Sequence, residues 1–247
     1  ARSARGDTRS IPRADRLGAA LLVAGLVGAC AVPVESDIAE VAEQAQTAED
    51  DADLTPAAIL AKLGACRKVS QAPYAPDAGR PSNLHVCGLK NAVFFKADMD
   101  IDCDGKPSAV CNSSTDPYFQ PQTAATDSTG KPLDSAALPF IVVPGISNRW
   151  SYRASGVSLG SVGVVIYGDK MEFGIVGDVG PKAILGEASY AMAKTLGIDP
   201  HPSTGGVSSG VTYVIFTGSS GIVTKKEDHA EAVTVGRRRA AQLLREN

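Results

Sequence analysis

The stretch Ser161–Val176 reads SVGVVIYGDKMEFGIV, and in it two apolar runs are joined by Gly168-Asp169. Valine, isoleucine, tyrosine and phenylalanine dominate both runs, and these residue types favour β-strands. A Gly-Asp pair between two such runs is typical of a tight β-hairpin. We therefore expect an antiparallel hairpin here, and the rest of the fold is interpreted outward from it.

Further short apolar runs flank the hairpin at Asn91–Phe95, at Leu138–Val143, where Pro144 follows, and at Val211–Phe216. The chain is also rich in glycine (25) and proline (15), which favour turns over long helices. These patterns predict a mainly β (α+β) fold, a small β-barrel or curled sheet with a few short helices. Helices are expected over Thr55–Leu63, Gly186–Leu196 and Lys225–Asn247, and a loop is expected over Gly177–Lys182.

The N-terminal region has the pattern of an export signal. Five arginines precede the apolar stretch Leu17–Val32, which is too short to span a membrane comfortably and contains Val27-Gly28-Ala29-Cys30. Small residues before a cysteine resemble a bacterial lipobox, in which the cysteine becomes the lipid-modified N-terminus. We expect residues 1–30 to be an export signal with lipid on Cys30, which predicts a cell-envelope or extracellular location. An ordinary secretory peptide, with Cys30 incidental, is the alternative.

Removal of such a signal changes the charge of the remaining chain. Residues 1–30 contain five arginines and two aspartates, so residues 31–247 carry 19 basic and 25 acidic side chains, a net charge of −6. An acidic surface disfavours nucleic acid and suits a cationic partner. Residues 31–63 are expected to form an acidic tether and a short helix, in which Thr55 caps and Pro56 is the first helical residue. Residues 64–247 are then the functional domain.

Four cysteines remain after Cys30, namely Cys66, Cys87, Cys103 and Cys111. An even number in an exported chain indicates disulfides, with three possible pairings. We expect Cys66–Cys87 and Cys103–Cys111, because each pair closes a short local loop. A metal site at these cysteines is not expected, since there is no C-x-x-C and the three histidines show no ligand spacing.

An acidic segment, Asp98–Gly105, alternates aspartate with other residues. In an extended chain its four aspartates share one face, where something positive is needed. The segment also matches the start of a calcium loop, but Cys111 occupies the position of the required bidentate glutamate. Three interpretations stay open: a subsite for ammonium groups formed by Asp98, Asp100 and Asp102, a looser calcium site, or a solvated acidic turn.

A second pair of carboxylates follows the hairpin, with Asp178 at a strand end and Glu187 at a helix start, each after a glycine. Two carboxylates across one loop are able to face a common cleft, as an acid and a base in glycosidic-bond hydrolysis do. Spacing alone is weak support, since a glutamate at a helix start often complements the helix dipole and an aspartate in a turn often bonds only its own backbone.

The run Ile166–Asp178, followed by Ile184–Ser189, resembles the core of glycoside hydrolase family 75, the chitosanases. Further similarities occur in the same order along the chain. They are Ala97–Gly105, Gln120–Thr123, Leu138–Pro144 and Val211–Gly218. The resemblance covers Ala97 to Gly218 and does not extend to the tether or the terminal helix.

The resemblance implies endo-hydrolysis of the β-1,4-glucosamine linkages of chitosan with inversion, without a cofactor or a metal. The family's essential Asp and Glu map onto Asp178 and Glu187, with Glu187 as the acid and Asp178 as the base. Residues 64–247 would then be the catalytic domain of an enzyme held at a membrane surface by its lipid. Trp150 and Tyr152 are candidates for stacking on a sugar ring, or are core residues.

Three rival hypotheses remain. The first is a non-catalytic cell-surface lipoprotein that binds chitosan through the same cleft. The second is a hydrolase of another amino-sugar polymer, and the third is a structural lipoprotein stabilised by calcium.

Overall fold

The computed structural model describes residues 54–247, which form a closed β-barrel with three helices. The strands are β1 Cys87–Leu89, β2 Ala92–Asp102, β3 Phe140–Pro144, β4 Val162–Tyr167, β5 Lys170–Gly180, β6 Glu187–Ser189 and β7 Val207–Phe216. The order β2-β6-β3-β5-β4-β7 closes because β7 also pairs with β2, and β1 is added along β2. The predicted small, mainly β barrel is confirmed.

The hairpin at the centre of the prediction is present. Strands β4 and β5 pair antiparallel from Val162↔Ile175 to Tyr167↔Lys170, with Gly168-Asp169 as the two-residue turn. Gly168 has a φ of +61°, which a two-residue hairpin turn needs and which glycine adopts without strain.

The barrel interior is filled by one side of each strand. All six barrel strands contribute buried residues to a single cluster, within which Phe95 of β2 and Tyr213 of β7 stack with ring centroids 4.7 Å apart. Trp150 and Tyr152 belong to the same cluster and are 4% and 3% exposed, so these two residues are core residues and not sugar platforms.

The three helices are α1 Pro56–Lys62, α2 Tyr190–Leu196 and α3 His229–Glu246. Short 3-10 turns occur at Arg153–Ser155 and Ser219–Gly221. The predicted cap of α1 is confirmed, because Thr55 Oγ1 accepts from the Ala58 N–H at 3.1 Å and Pro56 starts the helix. Among residues 54–247, no helix combines the length and apolar character needed to cross a bilayer.

Helix α3 covers the outer face of the hairpin, and α1 packs against α3. Ile59 and Leu63 from the α1 region lie in one buried cluster with Val235 and Leu243 of α3 and with residues of β4 and β5. Helix α1 therefore packs into the folded domain, although it was assigned with the tether. The export signal over residues 1–30, Cys30 and the tether up to residue 53 lie outside the described residues.

Both expected disulfides are present. Cys66 is bonded to Cys87 of β1, and Cys103, directly after β2, is bonded to Cys111, with Cα atoms 5.0 Å apart in each pair. The second bridge fixes the start of the long connection between β2 and β3.

Two local predictions between Gly177 and Leu196 are wrong. The expected loop 177–182 is largely strand, because β5 continues to Gly180. The expected helix from Gly186 starts only at Tyr190, since Glu187–Ser189 form β6 between β2 and β3. Ser189 then caps the helix, its Oγ accepting from the Met192 N–H.

Candidate active site

The two predicted catalytic carboxylates lie on β5 and β6, which are the two neighbours of β3 in the sheet. Val142 of β3 is in register with Glu187 on one side and with Asp178 on the other. Registered residues point to the same face of a sheet, and strands are about 4.8 Å apart, so the two Cα atoms are roughly 10 Å apart. The fold therefore brings Asp178 and Glu187 to one face across a single strand.

The acidic segment lies on β2, the next strand of the sheet after β6. Asp100 of β2 is in register with Glu187 of β6 in a parallel pairing. The alternation therefore places Asp100 and Asp102 beside the Asp178–Glu187 pair, whereas Asp98 lies at an irregularity of β2 with its oxygen atoms near those of Asp77 and Asp100. Sequence reasoning treated the two clusters separately, and the pairing of β2 with β6 makes them one site.

A groove of about 560 Å³ opens over this face. Glu187, Asp100 and Asp102 line it together with residues from four loops. The residues contributed by those loops include Asp77, Asp104, Asp116, Tyr118, Pro181, Ile184, Pro202 and Ser203. Within residues 54–247, the only ion pair made by any carboxylate of the groove is a 4.0 Å contact between Asp77 and Arg80. The groove is therefore strongly negative and suits a cationic ligand.

The carboxyl group of Glu187 has a strongly raised pKa. Burial raises its pKa to about 8, and the charges of Asp100, Asp178, Asp104 and Asp116 contribute in the same direction. A carboxyl group with this pKa keeps its proton at neutral pH and is able to donate it.

Gly180 makes room for that carboxyl group. A Cβ atom at Gly180 would lie 2.7 Å from Glu187 Oε2 and 3.1 Å from a methyl group of Val142. The side chain of Glu187 therefore extends over the backbone at the end of β5, towards Asp178 two residues earlier.

Asp178 lies deeper and is 8% exposed. Its Oδ1 accepts from the backbone N–H groups of Ala124 at 2.8 Å and Val179 at 2.7 Å. Burial raises its pKa, and these two hydrogen bonds oppose the increase because they stabilise the charged form. The donors thus favour an ionised Asp178 beside a protonated Glu187.

The three residues predicted to bind ammonium groups differ in exposure. Asp100 is exposed, whereas Asp98 and Asp102 are 5% and 6% exposed, so a solvated acidic turn does not describe them. Burial, together with the charge of Asp100, raises the pKa of Asp98 to about 7. The pKa of Asp100 itself is raised to about 6, chiefly by burial and by Asp77.

Two carboxylate triads have the spacing needed to hold a cation. Oxygen atoms of Asp77, Asp98 and Asp100 lie within 4.8 Å of one another, as do those of Asp102, Asp104 and Asp178. All donors are carboxylates, which suit a hard divalent cation or an ammonium group equally. The EF-hand arrangement is absent, because Cys111 is in a disulfide where that loop needs its glutamate.

Sequence reasoning missed Asp77, Asp116 and Tyr118 in the groove wall. None of the three belongs to a periodic or clustered pattern, and Asp77 is more than 20 residues from the acidic segment. Their contribution depends on loop packing, for which the sequence offered no local signal.

A groove lined by unpaired carboxylates, with one proton-holding Glu beside an Asp that accepts backbone hydrogen bonds, is characteristic of glycoside hydrolases. Comparison with known proteins agrees with this class. The profile of a family described as "Fungal chitosanase of glycosyl hydrolase group 75" matches residues 99–239, more than half of the chain. The chain belongs to this family.

Individual relatives give the same result. An endo-chitosanase of Aspergillus oryzae (strain ATCC 42149 / RIB 40) is 30% identical over 190 residues, covering 68% of this chain and 77% of the relative. Endo-chitosanase B of Aspergillus oryzae is 28% identical over 180 residues, covering 66% and 75%. An endo-chitosanase of Aspergillus fumigatus is 29% identical over 143 residues, covering 53% and 60%.

Proposed function

We propose that this glycoside hydrolase cleaves internal β-1,4-glucosamine linkages of chitosan with inversion, using Glu187 as general acid and Asp178 as general base. The observation that carries the proposal is the placement of these side chains on one face across Val142, with a pKa of about 8 for Glu187 and two backbone donors on Asp178. Chitosan is proposed as the substrate because the relatives are endo-chitosanases.

Inversion is proposed from the family resemblance, and the fold leaves room for it. An inverting pair has carboxyl groups about 6.5–9.5 Å apart, with a water molecule between the base and the sugar, and Cα atoms roughly 10 Å apart across β3 permit such a separation. A retaining pair stands closer, at about 5 Å. Both backbone hydrogen bonds to Asp178 go to Oδ1, so Oδ2 is available to accept from that water.

The proposed reaction transfers two protons. Protonated Glu187 donates to the glycosidic oxygen as the C1–O bond breaks and the leaving sugar acquires a hydroxyl group. Asp178 takes a proton from the water whose oxygen attacks C1 from the opposite face. The product has an inverted C1, and exchange of protons with solvent restores Glu187 and Asp178.

The charge of the groove supports the proposed substrate. Protonated glucosamine units carry one positive charge each, and carboxylates along a groove attract such a polymer and orient it. Asp98, Asp100 and Asp102 are proposed to bind ammonium groups there, with Asp100 making the direct contact because it is exposed.

The test is release of reducing ends from soluble chitosan by residues 43–247, compared with Asp178→Asn and Glu187→Gln. Each variant is expected to lose activity by about 10²–10⁴-fold while keeping its circular dichroism spectrum and melting temperature. Proton NMR of the first product should show the anomer opposite to that of the substrate. Activity that survives both substitutions would mean that other residues carry out the reaction. A parent protein that binds chitosan without cleaving it would favour the non-catalytic chitosan-binding lipoprotein.

For residues 1–53 we propose the export signal, the lipid on Cys30 and a tether that holds the catalytic domain at the cell surface. Fractionation of cells expressing the full chain tests this. Cys30→Ser should move the protein from the membrane fraction to the soluble exported fraction, and unchanged membrane retention would contradict a lipid anchor.

A further inference from the structure

Tyr118 stands out among the described residues because its apolar ring has almost no protein around it. It is 85% exposed, whereas the next most exposed large apolar side chains are Ile146 at 42% and Val110 at 37%. A singly exposed apolar side chain is ordinary on a protein surface, but an aromatic ring exposed in a groove wall offers a flat apolar face to a ligand.

The position of Tyr118 is within the substrate groove. It lines the same cavity as Glu187, Asp104 and Asp116. Asp77 and Ala78 also line this cavity. A polymer lying along the groove past Glu187 therefore passes the ring of Tyr118.

The backbone beneath the ring is held in place, although the side chain is free. The Tyr118 N–H donates to Asp116 Oδ1 at 2.8 Å, and the Gln120 N–H donates to Asp104 Oδ1 at 2.6 Å. The Gly105 N–H donates to the Gln120 carbonyl at 2.9 Å, which joins this loop to the end of β2. The ring thus projects from a fixed support, and little conformational entropy is lost when a ligand covers it.

We propose that Tyr118 is a substrate-binding residue that stacks on the C–H face of one sugar ring, beside the Asp104 and Asp116 carboxylates. The proposal rests on the proposed chitosan hydrolysis and adds a subsite to it. A glucosamine ring has one apolar face for the tyrosine and an ammonium group for a neighbouring carboxylate. The pairing of ring and carboxylate favours a deacetylated unit at this position.

The first step of the test is chitosan hydrolysis by the parent protein. Absence of activity there, with the fold intact, would overturn the proposed function itself. With an active parent, Tyr118→Ala is expected to raise KM for chitosan by about tenfold, which is within the range for loss of stacking on an aromatic ring. The kcat value should change by less than about twofold, and Tyr118→Phe and Tyr118→Trp should restore KM, because the ring and not the hydroxyl group makes the contact.

Ile146→Ala is the matched control, since Ile146 is the next most exposed large apolar residue and does not line the groove. A second readout is the Kd for binding of a fully deacetylated glucosamine hexamer to the inactive Glu187→Gln variant. Adding Tyr118→Ala to that variant should raise this Kd by the same factor. Unchanged KM and Kd in Tyr118→Ala would overturn the proposal, as would a Tyr118→Phe variant as impaired as the alanine variant.

Discussion

At the scale of single residues, the candidate site depends on how neighbouring carboxyl groups act on one another. Glu187 is half-buried, and its pKa of about 8 arises from burial first and then from the negative charge of Asp100, its partner in register on β2. Asp178 has a raised pKa too, but two backbone donors stabilise its ionised form. Identical chemical groups thus take different proton occupancies because their surroundings differ.

The first prediction concerns the charge of Asp100. Asp100→Asn removes the largest charge contribution to the raised pKa of Glu187, so that pKa should fall. A general acid must be protonated, and the alkaline limb of the kcat/KM profile should therefore move to lower pH by about half to one unit. Asp127→Asn, at a half-buried carboxylate outside the groove, is the control and should leave the limb in place. An alkaline limb unaffected by Asp100→Asn would contradict Glu187 as the acid.

The second prediction concerns the space beside Glu187. In Gly180→Ala the new Cβ would lie 2.7 Å from Glu187 Oε2, so the carboxyl group must move. A displacement of about 1 Å from the productive position costs up to about 10²-fold in rate, and kcat should fall by about 10–100-fold. Thermal melting should change little, since the clash is with the end of a side chain. Gly221→Ala, at the far end of β7 where the nearest atom is Phe216 Cβ at 3.3 Å, should keep full activity.

At the scale of elements, three-residue β6 determines the geometry of the site. It lies between β2 and β3, pairs parallel with one and antiparallel with the other, and continues directly into α2. Ser189 fixes this junction, because its Oγ donates to the Leu138 carbonyl at 2.9 Å and accepts from the Phe140 and Met192 N–H groups at 2.9 and 3.2 Å. One buried hydroxyl group thus joins the start of β3, the end of β6 and the first turn of α2.

Ser189→Ala should therefore destabilise the domain more than loss of an ordinary helix cap. It leaves buried backbone groups of three elements without partners, and the free energy of unfolding should fall by about 2–3 kcal/mol. Thr55→Ala, which removes the exposed cap of α1, is the matched comparison and should cost about 1 kcal/mol. Urea denaturation measures both values, and equal losses would contradict the role assigned to Ser189.

At the scale of the whole molecule, the concentration of carboxylates in the groove opposes folding when they ionise. Six carboxyl groups in or beside the groove have raised pKa values: Asp98 at about 7, Asp100 and Asp104 at about 6, Glu187 at about 8, and also Asp102 and Asp178. In the unfolded chain the same groups titrate near 4. Between about pH 4 and pH 8 the folded state therefore binds more protons than the unfolded state, and stability falls as pH rises.

The melting temperature should accordingly be higher at pH 5.5 than at pH 8.5. One unit of raised pKa corresponds to about 1.4 kcal/mol, which changes Tm by about 4 °C in a domain of this size. Glu187→Gln should reduce the difference between the two pH values. Glu227→Gln is the control, because the pKa of Glu227 is lowered by its bonds to Ser128 and its contribution is lost only at more acidic pH. A Tm that rises towards pH 8.5 would contradict the raised values.

Local sequence determined the hairpin, the capped helix α1 and the two short-range disulfides, because each depends on residues close together in the chain. The similarity of ordered motifs also selected the family and the pair Asp178 and Glu187.

The tertiary structure decided those features that depend on segments far apart in the chain. Insertion of β6 between β2 and β3 placed Glu187 on a strand beside Asp100, where local helical spacing had predicted a helix start. It also assembled the loops that carry Asp77 and Tyr118 into the groove wall. The physical reason is that burial and the approach of like charges, which give the site its proton preferences, arise only when separate strands and loops pack together.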